Sequence, residues 1–205
     1  MNEEEYWKTT WDNRELEEAN DFARRSFSQI KDENFKTLLD LGCGDGRDSL
    51  FFASEGLNVT SVDFSESGIK KLNELSKEKG LSINAIQTNI IKINFPNNSF
   101  DVIYAHLSIH YFNDEITTQI FEKLSRILKK GGLIFIKCKS VEDALYKKGE
   151  EIEKDMYKKG HIRHFFSEEY MKEKLRNFKI LSVRKTSSVY HQHKSNFIEA
   201  VGTKI

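Results

Sequence analysis

The run Leu38-Leu39-Asp40-Leu41-Gly42-Cys43-Gly44-Asp45-Gly46 constrains this chain more than any other stretch of it. Apolar residues give way to three alternate glycines, so a buried strand must turn sharply before a helix begins. Glycines without a Cβ let backbone amides approach a ligand closely, and the helix N-terminus that follows favours a negative group. Alone, the pattern is compatible with a nucleotide-type ligand or with a plain strand-to-helix turn.

The alternation continues along the chain. Leu16, Ala19, Ala23, Phe27 and Ile30 fall at helical intervals and predict an amphipathic helix over Arg14 to Lys31. Strands are expected at Thr37 to Leu41, Asn58 to Val62, Ser82 to Gln87, Phe100 to Ala105 and Leu133 to Cys138. Between them, a helix runs to Gly56, another is capped by Ser65, and a third opens at Asn113 or Asp114 and closes at Lys129, Lys130 and Gly131. A further helix is expected from Ser167 to Asn177. Lys179 to Lys185 and Asn196 to Thr203 then follow each other with no helix between, which predicts an antiparallel hairpin at the sheet edge. The lysine pairs Lys147-Lys148 and Lys158-Lys159, among Glu150, Glu151 and Glu153, read as a solvated helix face, and Glu142 to Lys159 as an ordered helix or a mobile lid. The fold class is therefore α/β: a Rossmann-like three-layer sandwich on a seven-stranded, mostly parallel sheet whose last strand is antiparallel.

At 205 residues the chain suits one domain, divided into 1–34, an N-terminal aromatic segment and helix; 35–138, a ligand-binding core; and 139–205, a variable region with the terminal hairpin. Lys plus Arg and Asp plus Glu each total 32, and this zero net charge counts against nucleic acid as the main partner. An acidic N-terminus and the lack of any long apolar run argue against a secretory signal or a membrane span, and the expected location is cytoplasmic. Cys43 and Cys138 lie too far apart for a metal knuckle or a disulfide framework, so both are expected to be reduced. Whether the chain is a monomer or a dimer is left open.

Val59-Thr60-Ser61-Val62-Asp63 ends the second strand in a carboxylate close to the distance expected for a ribose-binding acid, although Asp63 could equally cap the next helix. The Asp40 to Gly46 motif, Asp63, Thr88-Asn89, Ser99-Phe100-Asp101-Val102-Ile103 and Leu128-Lys129-Lys130-Gly131-Gly132 occur in that order. Together, over about Phe35 to Cys138, they resemble the class I S-adenosylmethionine-dependent methyltransferases. Gly46-Arg47-Asp48-Ser49-Leu50 looks most like the tellurite-resistance and thiopurine-type small-molecule enzymes.

The resemblance implies S-adenosyl-L-methionine as cofactor, S-adenosyl-L-homocysteine as product, and a small-molecule acceptor. It implies that Asp40, Gly42 and Gly44 surround the methionine moiety and that Asp63 holds the ribose, with Cys43, Gly46, Arg47, Phe64 and Ile90 alongside. Asn89 stands where the family usually has an aspartate against the adenine amino group, and its carbonyl can still accept that bond. Ala105, His106 and Leu107 would end the fourth strand beside the reactive methyl. Ala105-His106-Leu107-Ser108 lacks the Asp or Asn, two prolines and aromatic residue of base-modifying methyltransferases, which weighs against that class. Tyr6, Trp7 and Trp11 resemble an aromatic segment that closes over the cofactor, with Tyr6 toward substrate; simple docking on the core is the alternative.

Candidate catalytic groups are His106, His110, His161 and His164, and His161-Ile162-Arg163-His164 falls in the variable region where such proteins build a substrate site. Arg163 suits an anionic group, and His110, His161 and His164 join it as substrate candidates. No metal is expected, because His161, His164, His191 and His193 have no carboxylate at ligand spacing. Other readings stay open: a nicotinamide-dependent oxidoreductase, which requires a parallel sixth strand, and a non-catalytic cofactor-binding regulator or a methyltransferase acting on protein.

Overall fold

Four helices begin where a polar side chain takes up a free backbone N–H. In the computed structural model, which describes Trp7, Thr10, Trp11, residues 15–190 and residues 193–205, with backbone alone at Tyr190 and His193, Asn20 caps α1 (Asp21–Ser28). Ser65 caps α3 (Glu66–Glu78), Asn113 caps α4 (Asp114–Ile127) and Ser167 caps α5 (Glu168–Lys174). Each such cap contributes about 1 kcal/mol. The helix α2 (Arg47–Ser54) starts instead on Gly46, at φ 81° and with no side-chain cap.

The main sheet has the order β3-β2-β1-β4-β5-β10-β9. Its strands are β1 (Thr37–Leu41), β2 (Asn58–Asp63), β3 (Ile83–Gln87), β4 (Phe100–His106) and β5 (Leu128–Lys139), with β9 (Lys179–Tyr190) and β10 (His193–Thr203). β1 to β5 pair in parallel, and β10 is antiparallel to both β5 and β9. This is the expected seven-stranded Rossmann-like sheet. The strand beside β5 is antiparallel, not the parallel sixth strand that the nicotinamide reading requires.

Helices cover both faces, so the central strands read as continuous apolar runs. Leu39, Ile103, Ile134 and Ile198 pack on one face with Phe121 and Leu124 of α4. Leu38, Tyr104 and Phe135 pack on the other with Phe22 of α1 and Phe52 of α2. Burying one such side chain is worth roughly 1.5–3 kcal/mol. Among the described residues, no helix is long and apolar enough to cross a membrane.

Three expectations are corrected. The helix expected over Arg14 to Lys31 begins at Asp21, because the Asn20 side chain accepts the Ala23 amide while its own amide donates to Asp48. The turn expected at Lys129 to Gly131 belongs to β5: α4 ends at Ile127, Leu128 is already extended, and the Gly131 amide donates to Lys204 O at 2.8 Å. The charged stretch after Glu142 is not a helix face. It contributes to a small antiparallel sheet of β6 (Glu150–Glu153), β7 (Met156–Lys159) and β8 (His161–His164). Left-handed residues at Gly149, Asp155 and Gly160 break any helix there and mark the turns.

Candidate active site

β1 and β2 deliver the glycine turn and Asp63 to the same place. The Gly42 and Cys43 amides donate to Val62 O at 2.7 and 3.1 Å, so the turn is clamped to the end of β2. Asp63 Oδ2 accepts from the Gly44 amide at 2.9 Å and Oδ1 accepts from the Ser65 amide at 2.8 Å. The carboxylate thus braces the turn and the start of α3 together. Burial is the main force raising its pKa, and these amide bonds oppose it. An ionised carboxylate offers about four acceptor positions, so two amide bonds still leave room for a ligand hydroxyl.

The glycines are needed for packing as well as for their positive φ. A Cβ on Gly42 would meet Ser108 Cβ at 2.3 Å, one on Gly44 the Trp11 ring at 2.6 Å, and one on Gly46 the Leu72 side chain at 2.3 Å. The neighbouring Ser108 hydroxyl donates to Leu41 O at 2.5 Å and ties the end of β4 to the end of β1.

Beneath the turn, Asp40 accepts from Ser49 Oγ at 2.5 Å, and Ser49 accepts in turn from Ser61 Oγ at 2.8 Å. Burial, and then the nearby Asp48 carboxylate, push the Asp40 carboxyl up to about 8 despite the Ser49 bond. Asp48 is buried too and is held by Tyr104 Oη at 3.0 Å and by Asn20. Burial followed by the nearby aspartates raises the pKa of Cys43, so its thiol is protonated and a poor nucleophile.

A cavity of about 1540 Å³ opens over these groups and continues past the ends of β4 and β5. Of the residues expected to hold a cofactor, Asp40, Gly42, Cys43, Gly44, Arg47, Asp63, Phe64, Asn89, Ile90, His106, Leu107, Trp7 and Trp11 line it. Gly46 and Ala105 do not: Gly46 is packed against Leu72, and Ala105 points into the core. The Asn89 carbonyl already accepts from the Ile91 amide at 3.1 Å, capping a short 3-10 turn, and keeps one lone pair for a ligand. Leu107, at φ 57°, holds the left-handed corner after β4.

The aromatic segment lies over the glycine turn. Trp11 rests on Gly44, Trp7 stacks on Trp11 at 5.9 Å, and the Trp7 carbonyl accepts from Ser65 Oγ at 2.8 Å. Trp7 also meets Tyr111 and His161, each at 5.7 Å between ring centres, linking the turn to β8. Tyr6 and His191 lie outside the described residues.

The pleat of β8 divides the expected histidine cluster. His161 and Arg163 face the cavity, and His164 faces away. His164 is buried, its Nδ1 lies 3.2 Å from Phe112 O, and its ring packs on Tyr170 and Phe166. It is a structural residue and no longer a catalytic or substrate candidate. His106 and His110 line the cavity, and burial, then nearby cations, push both imidazoles well below their ordinary pKa. Both are neutral at pH 7.

Lys139, Asp143, Lys194 and Ser195 complete the far wall and escaped the reading of the sequence. Lys139 carried a usable signal, since it is a charged residue at the carboxyl end of a parallel strand, where open α/β sheets place ligands. Asp143 and Ser195 follow from it, because Lys139 Nζ donates to both at 2.8 and 3.0 Å.

The sequence profile of the methyltransferase domain family matches residues 38–132. The probable S-adenosyl-L-methionine-dependent methyltransferase TehB of Haemophilus influenzae is 32% identical over 107 residues, covering 52% of this chain and 37% of TehB. Phosphoethanolamine N-methyltransferase 1 of Triticum aestivum is 32% identical over 104 residues, covering 50% of this chain and 21% of that enzyme. The chain therefore spans well under half the length of these relatives. The crystal structure of TehB superposes with a TM-score of 0.74 at 22% identity, covering 98% of this chain and 67% of TehB. A Burkholderia thailandensis 1,6-didemethyltoxoflavin-N1-methyltransferase, solved with its acceptor and S-adenosylhomocysteine, has a TM-score of 0.71 at 17% identity over 89% of this chain and 76% of its own. At these identities the two structures show likeness of fold.

Proposed function

We propose that this chain, which carries a class I S-adenosylmethionine-dependent methyltransferase domain, transfers a methyl group from S-adenosylmethionine to a small-molecule nucleophile. One observation carries the reading: the Asp63 carboxylate and the Gly44 amide meet at the wall of a cavity that also takes in the end of β4. The core at 35–138 holds the cofactor, and 139–205 selects the acceptor within the same domain.

The residues suit the cofactor. Asp63 accepts from the ribose hydroxyls, Asn89 faces the adenine, and the Asp40 carboxyl, mostly protonated in the unliganded chain, ionises against a methionine ammonium. Trp7 and Trp11 offer ring faces to a sulfonium cation and exclude water above it. When bound, the cofactor supplies an already activated methyl. The chain's share is to align the acceptor with that methyl and keep the site dry, and proximity alone lowers such barriers by several kcal/mol. Neutral His106, His110 and His161 serve as hydrogen-bond partners and accept a proton only from an acceptor that arrives protonated. The relatives named above for small-molecule methylation, and the chain's lack of excess positive charge, favour a small acceptor over nucleic acid. A cytoplasmic enzyme fits this reading.

Calorimetry with S-adenosylmethionine and S-adenosylhomocysteine tests it: neither ligand binding would defeat the assignment. A turnover screen over thiols, phenols, carboxylic acids and tellurite, read as S-adenosylhomocysteine formed, separates an enzyme from a regulatory binder.

A further inference from the structure

The cavity is electrically lopsided. Asp40, Asp45, Asp48, Asp63 and Glu17 line it on the side of β1 to β3, where the cations are Arg47, paired with Glu17 and Asp48, and Lys92; Lys139, Arg163 and Lys194 line it on the side of β5, β8 and β10, with Asp143 as the carboxylate among them. Asp143 is already committed. Its Oδ2 accepts from Lys139 Nζ at 2.8 Å and from the Asn196 amide at 2.9 Å, and its Oδ1 accepts from the Leu145 amide at 3.0 Å. Lys139 is neutralised by that pair.

Among the described residues, Arg163 and Lys194 have no such partner. The half-buried Arg163 guanidinium reaches only the carbonyls of Lys159 and His161, at 3.4 and 3.5 Å, and among the described residues no carboxylate pairs with it or with the exposed Lys194. The cavity wall beside them contains a second incomplete group. His110 is 1% exposed, and its Nδ1 has no hydrogen-bond partner among the described residues. A buried nitrogen left unpaired costs about 1–3 kcal/mol.

We infer that the methyl acceptor is a small molecule bearing a carboxylate or phosphate group, which Arg163 grips with Lys194 nearby. This rests on the methyl-transfer reading and names its substrate class. Arginine suits the role because its planar fork matches two oxygens of one oxyanion at once. The cavity then sorts its two ligands by charge, with the cationic donor over the aspartates and the anionic acceptor under Arg163. In the transfer, a lone pair on the acceptor's nucleophilic atom forms the bond to the methyl carbon, and the sulfur–carbon pair returns to sulfur. The oxyanion group is a handle and is unchanged.

The test is calorimetric titration of benzoate, phenyl phosphate and benzyl alcohol into the full chain saturated with S-adenosylhomocysteine, for the wild type, Arg163→Ala and Arg163→Lys. At least one anion should bind about tenfold or more tightly than the alcohol. Arg163→Ala should abolish that margin, Arg163→Lys should restore part of it, and S-adenosylhomocysteine affinity should stay unchanged throughout. Preference for benzoate assigns a carboxylate, and preference for phenyl phosphate assigns a phosphate. Equal binding of all three probes, no binding of either anion, or anion binding that survives Arg163→Ala overturns the inference. If S-adenosylhomocysteine itself fails to bind, the methyl-transfer reading falls, and the same titrations into the chain alone still decide the role of Arg163.

Discussion

Asp63 Oδ2 accepts a hydrogen bond from the Gly44 amide at 2.9 Å, so the acid that faces the cavity also fixes the shape of the turn across from it. Replacing Asp63 with alanine therefore removes a ligand acceptor and a brace together. S-adenosylmethionine affinity should fall by roughly 10- to 100-fold, the equivalent of one charged hydrogen bond. Asp63→Asn keeps one acceptor oxygen and should lose less. Calorimetry on both variants is the check, and an unchanged dissociation constant for Asp63→Ala would remove the residue from the site.

Asp40 predicts how stability depends on pH. Its folded pKa, about 8, lies above the ordinary 3.8, so the folded state favours the protonated carboxyl. That contribution is complete below pH 3.8 and is lost as pH rises through about 8. Without cofactor, the melting temperature should decline across this window, and Asp40→Asn, which cannot ionise, should flatten the decline. A variant with the wild-type slope would show that Asp40 is already ionised in the folded chain.

Glu199 makes the opposite prediction. Burial alone would raise its carboxyl, but the bonds from Arg25 and Lys137 outweigh burial and hold it at about 2. Arg25 grips both oxygens at 2.8 and 2.9 Å, with Arg184 at 2.9 Å and Lys137 at 3.2 Å. Its contribution is present above the ordinary 4.5 and disappears as pH falls through about 2. Glu199→Gln strands the buried Lys137 ammonium, and urea unfolding should register a loss of about 3 kcal/mol. A loss under 1 kcal/mol would mean that water compensates the lysine.

Gly46→Ala combines two costs that can be separated. The left-handed backbone at φ 81° penalises any Cβ by about 1–2 kcal/mol. The new atom also meets Leu72 at 2.3 Å. In a double-mutant cycle, Leu72→Ala should relieve the second cost and leave the first. Strict additivity of the two substitutions would show that the contact is not felt.

Much of this was legible in the sequence. β1 and β4 are buried along most of their length and so read as apolar runs, and Ser65, Asn113 and Ser167 cap helices by bonds to amides three residues ahead. Asn20 deceived because its partner, Asp48, lies 28 residues away. Glu150 to Glu153 deceived because β6 is exposed along its whole length, which leaves charge without periodicity. The histidines after Gly160 looked like one cluster because a linear reading lacks the strand pleat that turns His164 from His161. Asp143 lies four residues from Lys139, but Ser195 reaches it only through pairing across β5 and β10, a contact invisible to local spacing.

The placement of β10 has a kinetic side. β9 is made first, yet its neighbour in the sheet is β10 and not β5. Emerging from the ribosome, β9 therefore has no docking place until the following strand arrives to occupy the gap. β10 must lie beside β5 before β9 completes the sheet, or the two must add to it together as a hairpin. Until then the apolar edge of β5 remains uncovered, and that interval is when the newborn chain is most open to aggregation.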